Sequence, residues 1–253
     1  MRRWAAACLL SLAISPSAGA QGPGEVGLDE KLGAAIPLET RFLDEEGRSV
    51  ELAALIDKPT VLTLNYFRCA GICTPLLNGL TDALNRVGLE PGRDFQVVTV
   101  SFDERDTPEI AKTKRLNYLK QIRRPFPPSA WRFLTGKGPA IKALTDAVGF
   151  EFKPWGEEYV HPGVIVLLSP KGRITRYMYG TLFPRYDLEM ALREAARGKA
   201  RPTIVKALEF CYSYDPQGRR VVSKATRAVG AAMLLFVAGF AAMLAWGGKR
   251  KGP

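Results

Sequence analysis

The stretch Thr60-Val61-Leu62-Thr63-Leu64-Asn65-Tyr66-Phe67-Arg68-Cys69-Ala70-Gly71-Ile72-Cys73-Thr74-Pro75-Leu76-Leu77-Asn78-Gly79-Leu80 decides how the rest of the chain is read. Its first eight residues form a β-rich apolar run and its last seven look helical, so two cysteines fall at a strand-to-helix turn. Free backbone N–H groups and the helix dipole favour thiolate at such a place. If the segment is helical from Cys69 on, a four-residue step puts both side chains on one face with Cα atoms roughly 6 Å apart, within range of a disulfide or of one shared ion.

Working outward, residues 41–50 alternate around an acidic turn and predict a small hairpin, with a helical turn over 52–56. Residues 95–102 predict a second buried strand, and Thr107 as N-cap before Pro108 predicts a helix to about Ile122. A short strand over 131–134 and a helix over 140–148 follow. Residues 164–168 and 174–180 flank the turn residues 169–173 as a hairpin, and 187–197 form an amphipathic helix that stops at Gly198. Strand, helix, strand, helix, then a hairpin and a last helix predict an α/β domain on the thioredoxin plan over residues 39–198, a central mixed sheet with flanking helices. Residues 21–38, with Gly and Pro and little pattern, are expected to be a tether, and 199–227 a linker.

The two ends carry targeting signals. Met1-Arg2-Arg3, an apolar stretch over 4–14 and Ala18-Gly19-Ala20 predict a secretory signal over 1–20, with an uncleaved anchor as the alternative. Residues 228–247 carry no charge, have Trp246 where an interfacial aromatic would sit, and are flanked by basic residues. They predict one transmembrane helix, with 248–253 a cytoplasmic tail and the body on the extracytoplasmic, periplasmic face of the inner membrane. The formal charge of +11 is spread among acids along the body, without an arginine-rich helix or stacked aromatics, which argues against nucleic acid and for a membrane surface or an acidic protein partner. Of four cysteines, Cys8 falls in the signal, leaving Cys69, Cys73 and Cys211, too few for a disulfide scaffold in so long a chain.

The single histidine, His161, stands just ahead of the strand over 164–168. On the thioredoxin plan, the proline-bearing loop before that strand faces the cysteine helix, so His161 is expected to meet Cys69 and Cys73, and Pro162 to follow a cis peptide bond. Two thiolates and an imidazole suit Cu(I), and carry Cu(II) if another donor or water completes the site; zinc with water is the alternative ion. Three residues separate the cysteines, where thioredoxin-type oxidoreductases have two. An inert structural bridge over so small a loop would constrain the unfolded chain little. Asp103 and Asp106, after the second strand, either tune the site and dock a basic partner or cap the next helix and solvate its loop. Arg68 either lowers the pKa of Cys69 or faces water.

Cys69-x-x-x-Cys73, Leu76-Leu77-Asn78-Gly79-Leu80, the run from Asp94 to Asp103, the segment 112–118, Trp131-x-Phe-Leu-Thr-Gly136 and His161 occur in an order that resembles the Sco/SenC family over most of 42–198. The resemblance implies a thioredoxin-like fold on which Cys69, Cys73 and His161 bind copper and the two cysteines form a redox-active pair. It implies a role in metallating or reducing the copper-bearing subunit of cytochrome c oxidase. Ala70 and Thr74 stand where many members have proline, Val160 where many have aspartate, and the expected anchor is carboxy-terminal where most are amino-terminal. The missing aspartate is expected to leave His161 without a supporting partner. Two functions follow as expectations: a membrane-tethered copper metallochaperone, or a metal-independent thiol-disulfide oxidoreductase of the thioredoxin/peroxiredoxin class.

Overall fold

The computed structural model describes residues 26–69 and 71–200, together with the short segments 212–215, 220–223 and 233–237. The expected signal, Cys211 and the tail lie outside the described residues. Of the stretch 228–247 only 233–237 is described, as helix, and among the described residues no helix is long and apolar enough to cross a membrane.

In chain order, strands β1 (Arg41–Leu43) and β2 (Ser49–Glu51) pair as a hairpin, and α1 (Leu52–Leu55) leads into β3 (Thr60–Asn65). Then come α2 (Cys73–Leu84), β4 (Gln96–Ser101), α3 (Pro108–Leu119), β5 (Trp131–Leu134) and α4 (Gly138–Val148). A second hairpin, β6 (Lys153–Trp155) and β7 (Glu158–Val160), precedes β8 (Val164–Leu168), β9 (Ile174–Tyr179) and α5 (Arg185–Ala196), with β10 (Tyr212–Asp215) and β11 (Arg220–Ser223) paired beyond. The main sheet has the order β5-β4-β3-β8-β9, parallel through β5, β4 and β3 and antiparallel through β8 and β9. A central mixed sheet with flanking helices fits a thioredoxin-like fold.

The apolar runs are uninterrupted because both faces of the sheet are covered. Leu62, Leu64, Val98 and Val166 pack with Ile141 and Leu144 of α4 on one side, while Val61, Val97, Ile165 and Leu167 pack under α2, α3 and α5 on the other. Each strand therefore contributes alternate residues to two cores, and β3, central in the sheet, ends beneath the start of α2. Thr107 and Pro108 begin α3 as expected, but the helix closes at Leu119, where the chain tightens into i→i+3 turns at Gln121 and Ile122. The expected tether over 21–38 needs correction. Its described part lies against the domain, with Ile36 buried, Leu28 and Leu32 packed on the first core, and backbone bridges from Leu28 to Phe150 and from Ala35 to Arg173.

One close approach fixes the position of α2. A Cβ at Gly79 would stand 1.8 Å from the carbonyl oxygen of Thr181, in the segment between β9 and α5. That neighbour is backbone and cannot swing aside. Gly79→Ala is expected to destabilise the protein by about 2–4 kcal/mol, roughly 10 °C in Tm for a chain of this size. An unchanged thermal unfolding midpoint would refute the close packing of this helix.

Candidate metal and thiol site

The sulfurs and the imidazole converge. Sγ of Cys69, Sγ of Cys73 and a ring nitrogen of His161 all lie within 4.8 Å of one another, and all three residues are buried. Cys73 opens α2, while Cys69 sits in the turn before the helix, not on its face as the helical reading expected. The turn achieves the same approach by folding the chain around the Cys69 sulfur, which accepts the backbone N–H groups of Gly71 at 3.3 Å and of Cys73 at 3.4 Å. Both cysteines are unbridged in the structure.

His161 reaches the site from the segment between β7 and β8, with Nε2 3.2 Å from Cys73 Sγ. Nδ1 lies 3.1 Å from the carbonyl oxygen of Pro162, which can only accept, so Nδ1–H donates there and Nε2 faces the sulfurs. The supporting role of the absent aspartate is thus taken by a backbone carbonyl. Tyr66, Phe102 and Phe150 surround the ring with centroids 5.9, 5.1 and 5.9 Å away, fixing its orientation. The expected cis bond before Pro162 is corrected: among the described residues every peptide bond is trans.

The two thiols are unequal. Cys69 is held well below the ordinary thiol range, first by the Cys73 thiol beside it, against burial, and further by His161, the Tyr66 hydroxyl and the Cys73 N–H. Cys73 is driven far up by the neighbouring Cys69 sulfur and then by burial; the Tyr66 backbone and the Asn65 side chain pull the other way. The reduced pair is therefore one thiolate, at Cys69, and one thiol, at Cys73. The Tyr66 hydroxyl also donates to the Glu158 carboxylate and accepts the Tyr159 N–H at 3.4 Å. A cleft of about 540 Å³ opens onto Cys69 and His161 between Ile72, Glu158 and an exposed Trp155.

Asp103 and Asp106 neither solvate their loop nor supply a side-chain cap to α3; both are buried. Asp106 accepts the Phe67 N–H and the Ser101 hydroxyl at 2.6 Å each, pinning the turn that leads to Cys69. Asp103 is bound by Arg105. Arg68, half exposed to water, lies 3.7 Å from Asp106 and donates to the Arg105 carbonyl at 3.1 Å. Tyr66, Asn65 and the β6–β7 hairpin were not singled out from sequence. Tyr66 and Asn65 read as part of an apolar strand, and the hairpin has only a left-handed Gly156 to announce it.

A crystal structure from Aquifex aeolicus VF5, described as an electron transfer protein, is similar at 32% identity with a TM-score of 0.60, covering 66% of this chain and 95% of that one. A SCO1/SenC family lipoprotein from Bacillus anthracis is similar at 19% identity and TM-score 0.55, covering 67% and 99%. Copper-bound ScoI from Arabidopsis thaliana is similar at 23% identity and TM-score 0.51, covering 66% and 98%. A comparison with curated protein sequences gave no match. The SCO1/SenC family model matches residues 30–196, which contain both cysteines, the histidine and the whole sheet that brings them together; the chain belongs to the SCO1/SenC family.

Proposed function

We propose that this chain is a membrane-tethered copper-binding protein that assists assembly of the copper site of a cytochrome c oxidase, with its domain on the extracytoplasmic face of the inner membrane. The observation that carries the reading is the convergence of Cys69, Cys73 and His161 within 4.8 Å in a buried pocket. Two sulfurs and a neutral imidazole nitrogen are the donor set that copper accepts as Cu(I), and as Cu(II) with a further donor. Those three residues would hold the ion, which is cargo for the copper-bearing subunit. Family membership supports this, as does the uncharged stretch 228–247, since a shared bilayer raises the effective concentration of donor and acceptor.

The unequal thiols support a second reading, reduction of a disulfide on that subunit. The Cys69 thiolate attacks one acceptor sulfur, forming a mixed disulfide and releasing the other as thiolate. Cys73 then attacks Cys69 Sγ, its proton passing by way of His161 Nε2, 3.2 Å away, to the released sulfur. Two electrons leave the pair, which closes as a disulfide, and the acceptor leaves with one thiol and one thiolate, the latter taking its proton from water.

In a strain lacking the gene, the wild-type chain is expected to restore oxidase copper content and activity, and Cys69→Ser to restore neither. Restoration by His161→Ala favours the metal-independent reductase, and restoration by Cys69→Ser contradicts both readings.

A further inference from the structure

Large exposed apolar side chains are few in the domain, and four of them, Tyr179, Leu182, Tyr186 and Met190, fall together at and just before α5. Single apolar residues scattered over a surface are ordinary; a cluster of them marks a contact face. The core takes only Leu188, Ala191, Leu192 and Ala195 from this helix. On its outward side Tyr186, 72% exposed, and Met190, 46% exposed, stand one turn apart, with Leu182, 83% exposed, just ahead of the helix. Exposed Arg193 and Arg197 continue the same row at helical spacing. The acids of α5 are turned off that row. Glu189 accepts the Gly88 N–H at 3.1 Å and pairs with Arg193, Glu194 pairs with Arg176, and Asp187 is half-buried. Arg185 lies over the Tyr186 ring, 4.7 Å from its centroid. The outward face of α5 is therefore apolar at its start and cationic toward its end.

The sequence that follows the helix has the same sign. Segment 199–227 holds seven basic residues against Glu209 and Asp215, and it leads directly into the uncharged stretch 228–247. The end of α5 is thus where the domain joins the part of the chain proposed as its anchor. Tyrosine and aliphatic side chains beside basic ones are the composition that settles in the headgroup layer of a bilayer, and anionic lipids add attraction for the basic residues. An acidic protein partner would answer the charge but leaves its run toward the bilayer unexplained. We propose that the outward face of α5, with Leu182 ahead of it, rests on an anionic phospholipid bilayer and orients the domain there. The inference deepens the proposed function and rests on its reading of 228–247 as an anchor. Its consequence for the site is one of direction. Thr181, just ahead of α5, meets Gly79 in α2, and Glu189 meets Gly88 just beyond α2, so the two helices run side by side in the same sense. With α5 laid along the surface, α2 lies along it too, and the cysteines at the start of α2 face along the bilayer, away from the tethered end, where an acceptor in the same membrane is met.

The test reconstitutes the full chain into vesicles of phosphatidylglycerol and phosphatidylethanolamine, and separately into vesicles of phosphatidylcholine. Hydroxyl-radical oxidation of Tyr186 and Met190 is read by peptide mass mapping, with the exposed Trp155 at the mouth of the cleft as reference. Oxidation of Tyr186 and Met190 is expected to be slowed at least about threefold in the anionic vesicles relative to the neutral ones, with Trp155 unchanged. Salt at about 1 M is expected to abolish the difference. Arg185→Glu combined with Arg197→Glu is expected to abolish it at low salt; both positions are exposed, and the salt series on the wild type decides the matter if that variant does not fold. Equal oxidation in the two lipids at low salt overturns the proposal. Slowing in both lipids that grows with the protein-to-lipid ratio assigns the face to a second copy, and slowing only after the oxidase subunit is added assigns it to that partner; either result overturns it as well. An alkaline wash of the same vesicles reads the anchor. If the wash strips the chain, the reading of 228–247 falls, while the lipid comparison still decides the role of α5.

Discussion

Alkylation of Cys69 by iodoacetamide is expected to run at a nearly constant rate from about pH 5 to about pH 8, an interval over which an ordinary thiol speeds up on the order of 1,000-fold. The cause is the depressed pKa of Cys69, set first by the Cys73 thiol, opposed by burial, and aided by His161, Tyr66 and the Cys73 N–H. Absolute rate is the poorer diagnostic. Thiolate nucleophilicity falls as pKa falls, with a Brønsted slope of about 0.4–0.5, which cancels much of the gain from full ionisation. The shape of the profile escapes that cancellation. In Cys73→Ser, where the largest contribution to the depression is changed, the level region is expected to begin at higher pH. Mass mapping separates Cys69 from Cys73 and Cys211, and a tenfold rise per pH unit at Cys69 would contradict the unequal pair.

This inequality was only partly legible in the sequence. The runs at β3, β4 and β8 announced buried strands because both faces of the sheet are covered, and proline and glycine marked the ends of α3 and α5. From that order the topology followed, and with it the meeting of His161 and the two cysteines. Spacing alone could not say that Cys69 stands outside α2, since a turn closed by N–H bonds to its sulfur gives the same approach as a helical step. Nor could it say that Asp103 and Asp106 are buried, because acids at a strand end usually face water, and only the fold brings the Phe67 N–H and Ser101 to Asp106. The segment 26–38 looked like a tether because its apolar residues are sparse, yet Ile36 finds a place in the core once β9 and the segment after α4 are in position. The β6–β7 hairpin is three residues to a strand, with β6 exposed, and offers no alternation to read. It nevertheless brings Trp155 and Glu158 to the mouth of the cleft.

The central claim is that Cys69, Cys73 and His161 act as one copper site, and its second large consequence is that each is indispensable. Three donors within 4.8 Å form a set in which loss of one leaves two, too few to compete for Cu(I) against a strong chelator. Tyr66, Phe102 and Phe150 hold the ring from three sides, so His161→Ala removes the ligand while leaving both sulfurs on the turn after β3 and the start of α2. The direct measurement is Cu(I) bound per chain in competition with a chromophoric chelator, for the wild type, Cys69→Ser, Cys73→Ser and His161→Ala. One ion per wild-type chain, with affinity reduced at least about 100-fold in every variant, is the predicted result. Undiminished binding in His161→Ala, or none in the wild type, would contradict it.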